Sequence, residues 1–473
     1  MQIFTFSNTY PYSSSVVFNW HKNILALKRI TPPWDKITIL NKEHDSSNFL
    51  IDGKMVLKQE ILPFISAKWK IKHEKNGYIE GECFQDNLIS GPIKKWTHHH
   101  NFIKISRNKT MITDKVSFSH WVDLKKLNNF TVKSMEKSFK YRANILEHDL
   151  SNLYKNVNGY YVLVTGATGL VGSALLPLLN SLGYNVISLK FKKNSHNTDF
   201  KANLKNDVPR SDKLIEINWN PYSSNILRIP DDISRKIKFV VNLSGENILG
   251  IWTKTKKKSI INSRVQTTQN LLKIIESNSI NPKCCVHASA VGFYGRDKNE
   301  KLDEYNSSGD GFLAKTTAEW EKEQNKFKKL VQRNVNLRIG TVLSCKGGLV
   351  KQIEIPFKAG IAGYIGSGEN FLNWIHIEDL VRIIEKTFKD KRYEGPINAV
   401  SPVPIKSKEF FALLGKKYKS KLFINVPSFI PKVLSKELIN EIVLSNQKIL
   451  PKKLLKNEYN FFASTIEEAL ENL

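Results

Sequence analysis

Three glycines, Gly166, Gly169 and Gly172, stand at intervals of three residues between a short apolar run and a stretch with helical spacing. The run is Tyr160-Tyr161-Val162-Leu163-Val164-Thr165, and the stretch that follows is Ser173-Ala174-Leu175-Leu176-Pro177-Leu178-Leu179. Strand, glycine turn and helix in that order suit the holding of a dinucleotide pyrophosphate. The first glycine permits a tight turn, the second lets backbone approach phosphate, and the third lets helix and strand pack closely. The helix start adds unpaired N–H groups and a partial positive charge. Gly166, Thr168, Gly169, Leu170, Val171 and Gly172 are therefore candidate cofactor contacts. A ligand-free strand–helix connection would use the same glycines. Val186-Ile187-Ser188-Leu189, following as a second strand, favours the nucleotide.

That second strand ends at Leu189-Lys190-Phe191-Lys192-Lys193, without an acidic residue. A carboxylate there would bind a ribose 2′-hydroxyl and repel a 2′-phosphate, whereas Lys190 and Lys192 favour the phosphate. The expected cofactor is NADP, with NAD less favoured. Further on, Asn242, Ser244 and Gly245 close another strand, where small residues would let a cofactor ribose lie against backbone. His98-His99-His100 raises the question of a metal. On a strand His98 and His100 share a face with Trp96, and His99 points away. No cysteine or carboxylate lies at ligand spacing beside them, so the expectation is cavity lining or sheet surface and no metal.

These residues need elements to hold them. From Gly159 onward strand-like and helix-like segments alternate, the signature of an α/β fold with a doubly wound parallel sheet of Rossmann type. Strands are expected at 161–165, 185–189, 214–218, 238–243, 284–289 and 335–340, with helices at 170–182, 258–277 and 312–330. Residues 1–155 look like a separate α+β domain. A serine-capped short helix at 16–21 precedes strand-like segments at 48–51, 67–73, 81–84 and 110–118. Met135, Phe139, Leu146, Leu150 and Leu153 then mark a longer closing helix. Together these describe a helix-grip fold.

A length of 473 residues calls for two domains. No apolar run is long enough to span a membrane, and the opening residues lack the features of a secretory signal. Four cysteines, two of them adjacent, suggest reduced thiols and a reducing compartment. Lys+Arg of 72 against Asp+Glu of 44 leaves +28. The lysines are scattered and lack aromatic interleaving, so compositional drift explains them better than nucleic-acid binding.

Phe18-Asn19-Trp20-His21, Thr31-Pro32-Pro33-Trp34, Gly91-Pro92, Trp96 through Phe102, and Phe139-Lys140-Tyr141-Arg142 resemble the START-like polyketide-cyclase (SRPBCC) domain. The resemblance implies an enclosed cavity for an apolar ligand. Residues 159–473 resemble an epimerase-like family of the extended short-chain dehydrogenase/reductase superfamily. The matching stretches include Thr165 through Gly172, Trp219-Asn220-Pro221, Val241 through Ile248, Ser263-Arg264-Val265, Ala288 through Gly295, Leu337 through Ser344 and Asn373 through Leu380. A short family-specific module is expected at 425–471. Members are often named only as sugar-nucleotide epimerases, and some from photosynthetic lineages as cell-division inhibitors. A cytoplasmic or plastid-stroma location fits both names.

By that resemblance Ser289 matches the serine that orients a substrate, and Lys315 the lysine that holds the nicotinamide ribose. The proton-transferring tyrosine belongs four residues before the lysine, where this chain has Gly311. Tyr294, five residues after Ser289, is the remaining candidate. His376 and Asp379 either face the substrate or pair structurally, and Arg338 reads as structural. Two functions stay open. One is an NADP-dependent oxidoreductase or epimerase of unknown small-molecule substrate with an incomplete Ser-Tyr-Lys set. The other is a non-catalytic nucleotide-binding regulator whose N-terminal domain senses a hydrophobic ligand.

Overall fold

The computed structural model describes residues 1–23, 25–43, 48–62, 65–156, 158–193, 214–296, 300–427 and 435–473. The chain forms two compact units: Met1–Lys155 with Asn180–Gly183, and Asn156–Leu179 with Tyr184–Leu473.

The N-terminal unit is mainly an antiparallel sheet. Its strands are β1 (Gln2–Tyr10), β2 (Ile37–Glu43), β3 (Lys54–Leu62), β4 (Ile65–His73), β5 (Cys83–Ser90), β6 (Lys95–Ser106) and β7 (Lys109–Ser119). They lie in the order β1-β7-β6-β5-β4-β3-β2. Inward and outward residues alternate as a half-buried strand requires: in β7, Thr110, Ile112, Val116 and Phe118 are buried. Helices α1 (Ser14–His21), α2 (Ala26–Ile30) and α3 (Phe49–Asp52) sit in the connections, and α4 (Lys125–Ser151) follows the sheet. Met135 and Phe139 of α4 pack with Phe4, Val116 and Phe118, while Leu146 and Leu150 pack with Phe18, Phe84 and Phe102. The segment expected as a strand at 48–51 is instead α3. The Asn48 side chain accepts from Leu50 N at 3.1 Å, and this cap starts a helical turn in a three-residue apolar run that carries no period of its own.

Arg29 of α2 and Asp149 of α4 form a buried bidentate pair, with Nε–Oδ2 at 3.0 Å and Nη2–Oδ1 at 2.9 Å. Burial raises the Asp149 pKa, but the adjacent Arg29 outweighs it and the net shift is downward. Removing one partner strands the other charge in the interior. Asp149→Ala should therefore cost about 3–5 kcal/mol, read as a lower denaturant midpoint for the full chain's N-terminal transition.

In the C-terminal unit, β8 (Tyr161–Thr165), β9 (Asn185–Phe191), β10 (Leu214–Trp219), β11 (Ile237–Asn242) and β12 (Cys284–Ala290) join strands Asn334–Ile339 and Gly395–Ala399. The order is β10-β9-β8-β11-β12, then Asn334–Ile339, then Gly395–Ala399, and every pairing is parallel. This is a Rossmann-type sheet, with β8 and β11 adjacent where the winding reverses. Helix α5 (Leu170–Ser181) follows β8, and helices Lys254–Ser277 and Phe312–Asn325 flank β12 in sequence. The last of these stops short of the expected residue 330 because a 3₁₀ turn takes over at Lys326–Lys329. All four cysteines are free thiols. Among the described residues no helix is long and apolar enough to cross a membrane.

Candidate functional site

The glycine turn is built from close approaches. Gly166 leaves β8 at φ +67°, and a Cβ there would lie 2.6 Å from the Leu243 carbonyl. A Cβ on Gly172 would lie 2.4 Å from Gly166 O, so α5 can pack onto the turn only through hydrogen. Gly169 differs: its Cβ would meet nothing nearer than Gly166 O at 3.3 Å, and Thr168 and Gly169 are exposed. Leu170, Val171 and Gly172 open α5, whose first N–H groups lack intrahelical partners. The turn thus fits a pyrophosphate: two glycines make its shape, and the exposed one leaves the approach clear. Gly169→Val should leave the fold intact by circular dichroism and weaken NADPH binding by about tenfold or more in a fluorescence titration.

The lysines at the end of β9 divide. Lys190 pairs with Glu216 on neighbouring β10, so its charge is already matched. The carboxylate missing from β9 thus arrives from the next strand. Lys192 and Lys193 are exposed at the strand end. At the end of β11, Asn242 is fully buried. Its Oδ1 accepts from Thr165 Oγ1 at 2.8 Å and its Nδ2 donates to Thr268 Oγ1 at 3.1 Å. The Asn242 side chain therefore ties β8, β11 and helix Lys254–Ser277 together. Ser244 is half-buried and Gly245 exposed, with Arg264 behind the latter at 3.3 Å from where a Cβ would stand. Arg264 donates to Glu246 O and lies over the Trp320 ring, a cation that the sequence showed only as part of a motif.

The expected catalytic trio is not assembled. Ser289 is buried and donates to Glu321 Oε1 at 2.6 Å. Arg338 grips the same carboxylate with Nε–Oε1 and Nη2–Oε2 contacts, both at 2.9 Å. Tyr294 is fully buried, donates to Asn398 Oδ1 at 2.7 Å and accepts from Arg338 at 3.0 Å. Burial pushes its pKa up to about 12 despite the guanidinium beside it. Ser289 and Tyr294 thus belong to one internal network. Lys315 is exposed on helix Phe312–Asn325. Gly311 lies outside that helix as its N-cap, at φ +108°, where a Cβ would meet the Glu441 carboxylate at 3.0 Å. A side chain at 311 would therefore be strained by the backbone and would have to displace the Glu441 carboxylate. His376 caps helix Ile377–Lys389 by accepting from Glu378 N, and Asp379 accepts from the backbone of Phe462 and Ala463. Tyr294→Phe should cost about 1–3 kcal/mol of stability, leaving Asn398 and Arg338 short of a partner, with NADPH affinity unchanged by calorimetry.

In the N-terminal unit a cavity of about 340 Å³ is lined by apolar side chains such as Met55, Leu57, Trp69 and Phe139, and by a polar group. Strand register places Asp86 opposite His98 and Asp114 opposite His100. Burial would raise the Asp86 pKa, but contact with His100 and His98 holds it down at about 2. Burial would lower that of His100, yet Asp114 and Asp86 lift it to about 9. The carboxylates missing near His98-His99-His100 in sequence therefore come from both neighbouring strands. The available signal was an acid in the inward frame of each strand, Phe84-x-Asp86 and Ile112-x-Asp114-x-Val116.

Comparison with known proteins places the C-terminal unit. The model of the NAD dependent epimerase/dehydratase family matches residues 162–398, and that of a domain of unknown function, DUF1731, matches residues 426–473. An epimerase family protein of Staphylococcus epidermidis is 30% identical over 316 residues, covering 66% of this chain and 98% of that protein. The solved nucleoside-diphosphate sugar epimerase from Corynebacterium glutamicum is 27% identical with TM-score 0.73, covering 99% of this chain and 89% of its own. A human epimerase family protein solved with NADPH is 29% identical with TM-score 0.55, covering 66% of this chain and 98% of its own.

Proposed function

We propose a function that proceeds from membership: the chain belongs to the NAD-dependent epimerase/dehydratase family, and its C-terminal unit uses NADP as an oxidoreductase or epimerase acting on a small molecule. The glycine turn carries this reading, because its close approaches leave the Thr168-Gly169 face clear at the start of α5. Gly166, Gly169, Gly172 and the first N–H groups of α5 would hold the pyrophosphate, and Ser244 and Gly245 would lie along a ribose. Lys192, with Lys193, would meet the 2′-phosphate, and Lys315 would stand on the solvent side of the nicotinamide half. The human relative solved with NADPH supports the choice. When bound, NADP supplies reversible hydride chemistry. Proton transfer in such a reaction would need a donor other than Ser289 or Tyr294.

The inward tie of Ser289 to Glu321 favours a second reading, a nucleotide-binding regulator with no turnover. On it, the N-terminal unit is a START-like sensor of a hydrophobic ligand, and a cell-division role would belong to this version. One experiment separates the two. Calorimetry should show NADPH bound more tightly than NADH, with Lys192→Glu combined with Lys193→Glu removing about tenfold or more of NADPH affinity. NADPH oxidation over a panel of aldehydes, quinones and sugar nucleotides should then show turnover with at least one class. Equal affinities would sink the NADP assignment, and binding without turnover would leave the regulator.

A further inference from the structure

We propose that the N-terminal unit is a metal-binding unit, in which Asp86, His98 and His100 hold a divalent first-row transition ion at the cavity wall and Asp114 orients both imidazoles. One ligand atom from each of the three residues lies within 4.8 Å of the others. Asp114 Oδ1 takes one nitrogen of each ring, Nε2 of His98 at 3.0 Å and Nδ1 of His100 at 2.7 Å. The two nitrogens of an imidazole point in opposite directions. Nδ1 of His98 and Nε2 of His100 accordingly turn toward a single atom, Asp86 Oδ2, at 3.7 and 3.5 Å. Those separations are long for hydrogen bonds. They approach the edge of a tetrahedron of ligands around an ion, about 3.4 Å for bonds of about 2.1 Å.

Asp114 stands where a carboxylate behind a metal-binding histidine belongs, fixing tautomer and ring orientation from the far nitrogen. Two imidazoles and one carboxylate on one side of an ion, with positions left over, suit Zn²⁺, Fe²⁺ or Co²⁺ and not Mg²⁺ or Ca²⁺. Asp86, His98 and His100 all line the 340 Å³ cavity, so the remaining positions face it and can take water or an oxygen donor of a cavity occupant. Four strand-borne side chains on β5, β6 and β7 set this geometry, and none belongs to a loop. The site is independent of the nucleotide reading.

The test uses the full chain, stripped with chelator and reloaded with Zn²⁺, or with Co²⁺ as the spectroscopic probe. Wild type should retain one equivalent through gel filtration, and the Co²⁺ form should show visible d–d bands. His98→Gln and Asp86→Asn should lose the ion, Asp114→Asn should weaken binding about 10–100-fold, and His99→Ala should change nothing. Circular dichroism and the denaturant midpoint of the N-terminal transition in each variant report that the unit carrying the site is folded. X-ray absorption on loaded wild type, which needs no variant, should show nitrogen and oxygen neighbours. Wild type that retains no ion, retention unchanged in His98→Gln, or sulfur in the absorption spectrum would each overturn the proposal.

Discussion

The C-terminal unit depends on how closely its backbone passes itself at the mouth of the sheet. Gly166 runs beside the Leu243 carbonyl and Gly172 beside Gly166 O, each at a distance that excludes a Cβ. Asn242 secures the same place from below, holding Thr165 at the end of β8 and Thr268 on the helix that follows β11. Two strands and two helices are thereby fixed around a turn whose outer face stays open. The shape of the turn follows from packing alone.

The residues expected to perform chemistry have been drawn into a different task. Glu321 collects Ser289 and the Nε and Nη2 groups of Arg338, whose Nη1 in turn reaches Tyr294 and whose guanidinium lies 3.5 Å over the Phe293 ring. Removing one member of so connected a buried network leaves the others without partners. The network links β12, strand Asn334–Ile339 and helix Phe312–Asn325 on the side where an oxidoreductase would keep its hydroxyls free.

What the sequence made legible was local. The glycine turn, the parallel strand pattern and the closing helix of the N-terminal unit were readable because each is set by spacing within about twenty residues. The partners of charged side chains were not, since they depend on register. Glu216 reaches Lys190 only because β9 and β10 run side by side, and Asp86 and Asp114 reach two histidines from different strands. Phe49-Leu50-Ile51 departs from the strand its sequence suggests for a related reason: a short apolar run has no period, and the cap on Asn48 decides the outcome. Ser289 and Tyr294 occupied the expected sequence positions, but only their side-chain partners revealed which way they face.

Helix Phe312–Asn325 begins where Glu441 accepts from both Phe312 N and Leu313 N at 2.7 Å. Farther along, Asp379 is satisfied by the backbone of Phe462 and Ala463, and Asn398 donates to Leu450 O. Three separate elements therefore wait for residues 441–463 to supply their hydrogen-bond partners. During synthesis, the sheet can form its early strands on the ribosome, yet these polar groups stay wet until that late segment emerges. A chain cut before residue 441 would therefore leave these groups without the partners that the intact unit gives them.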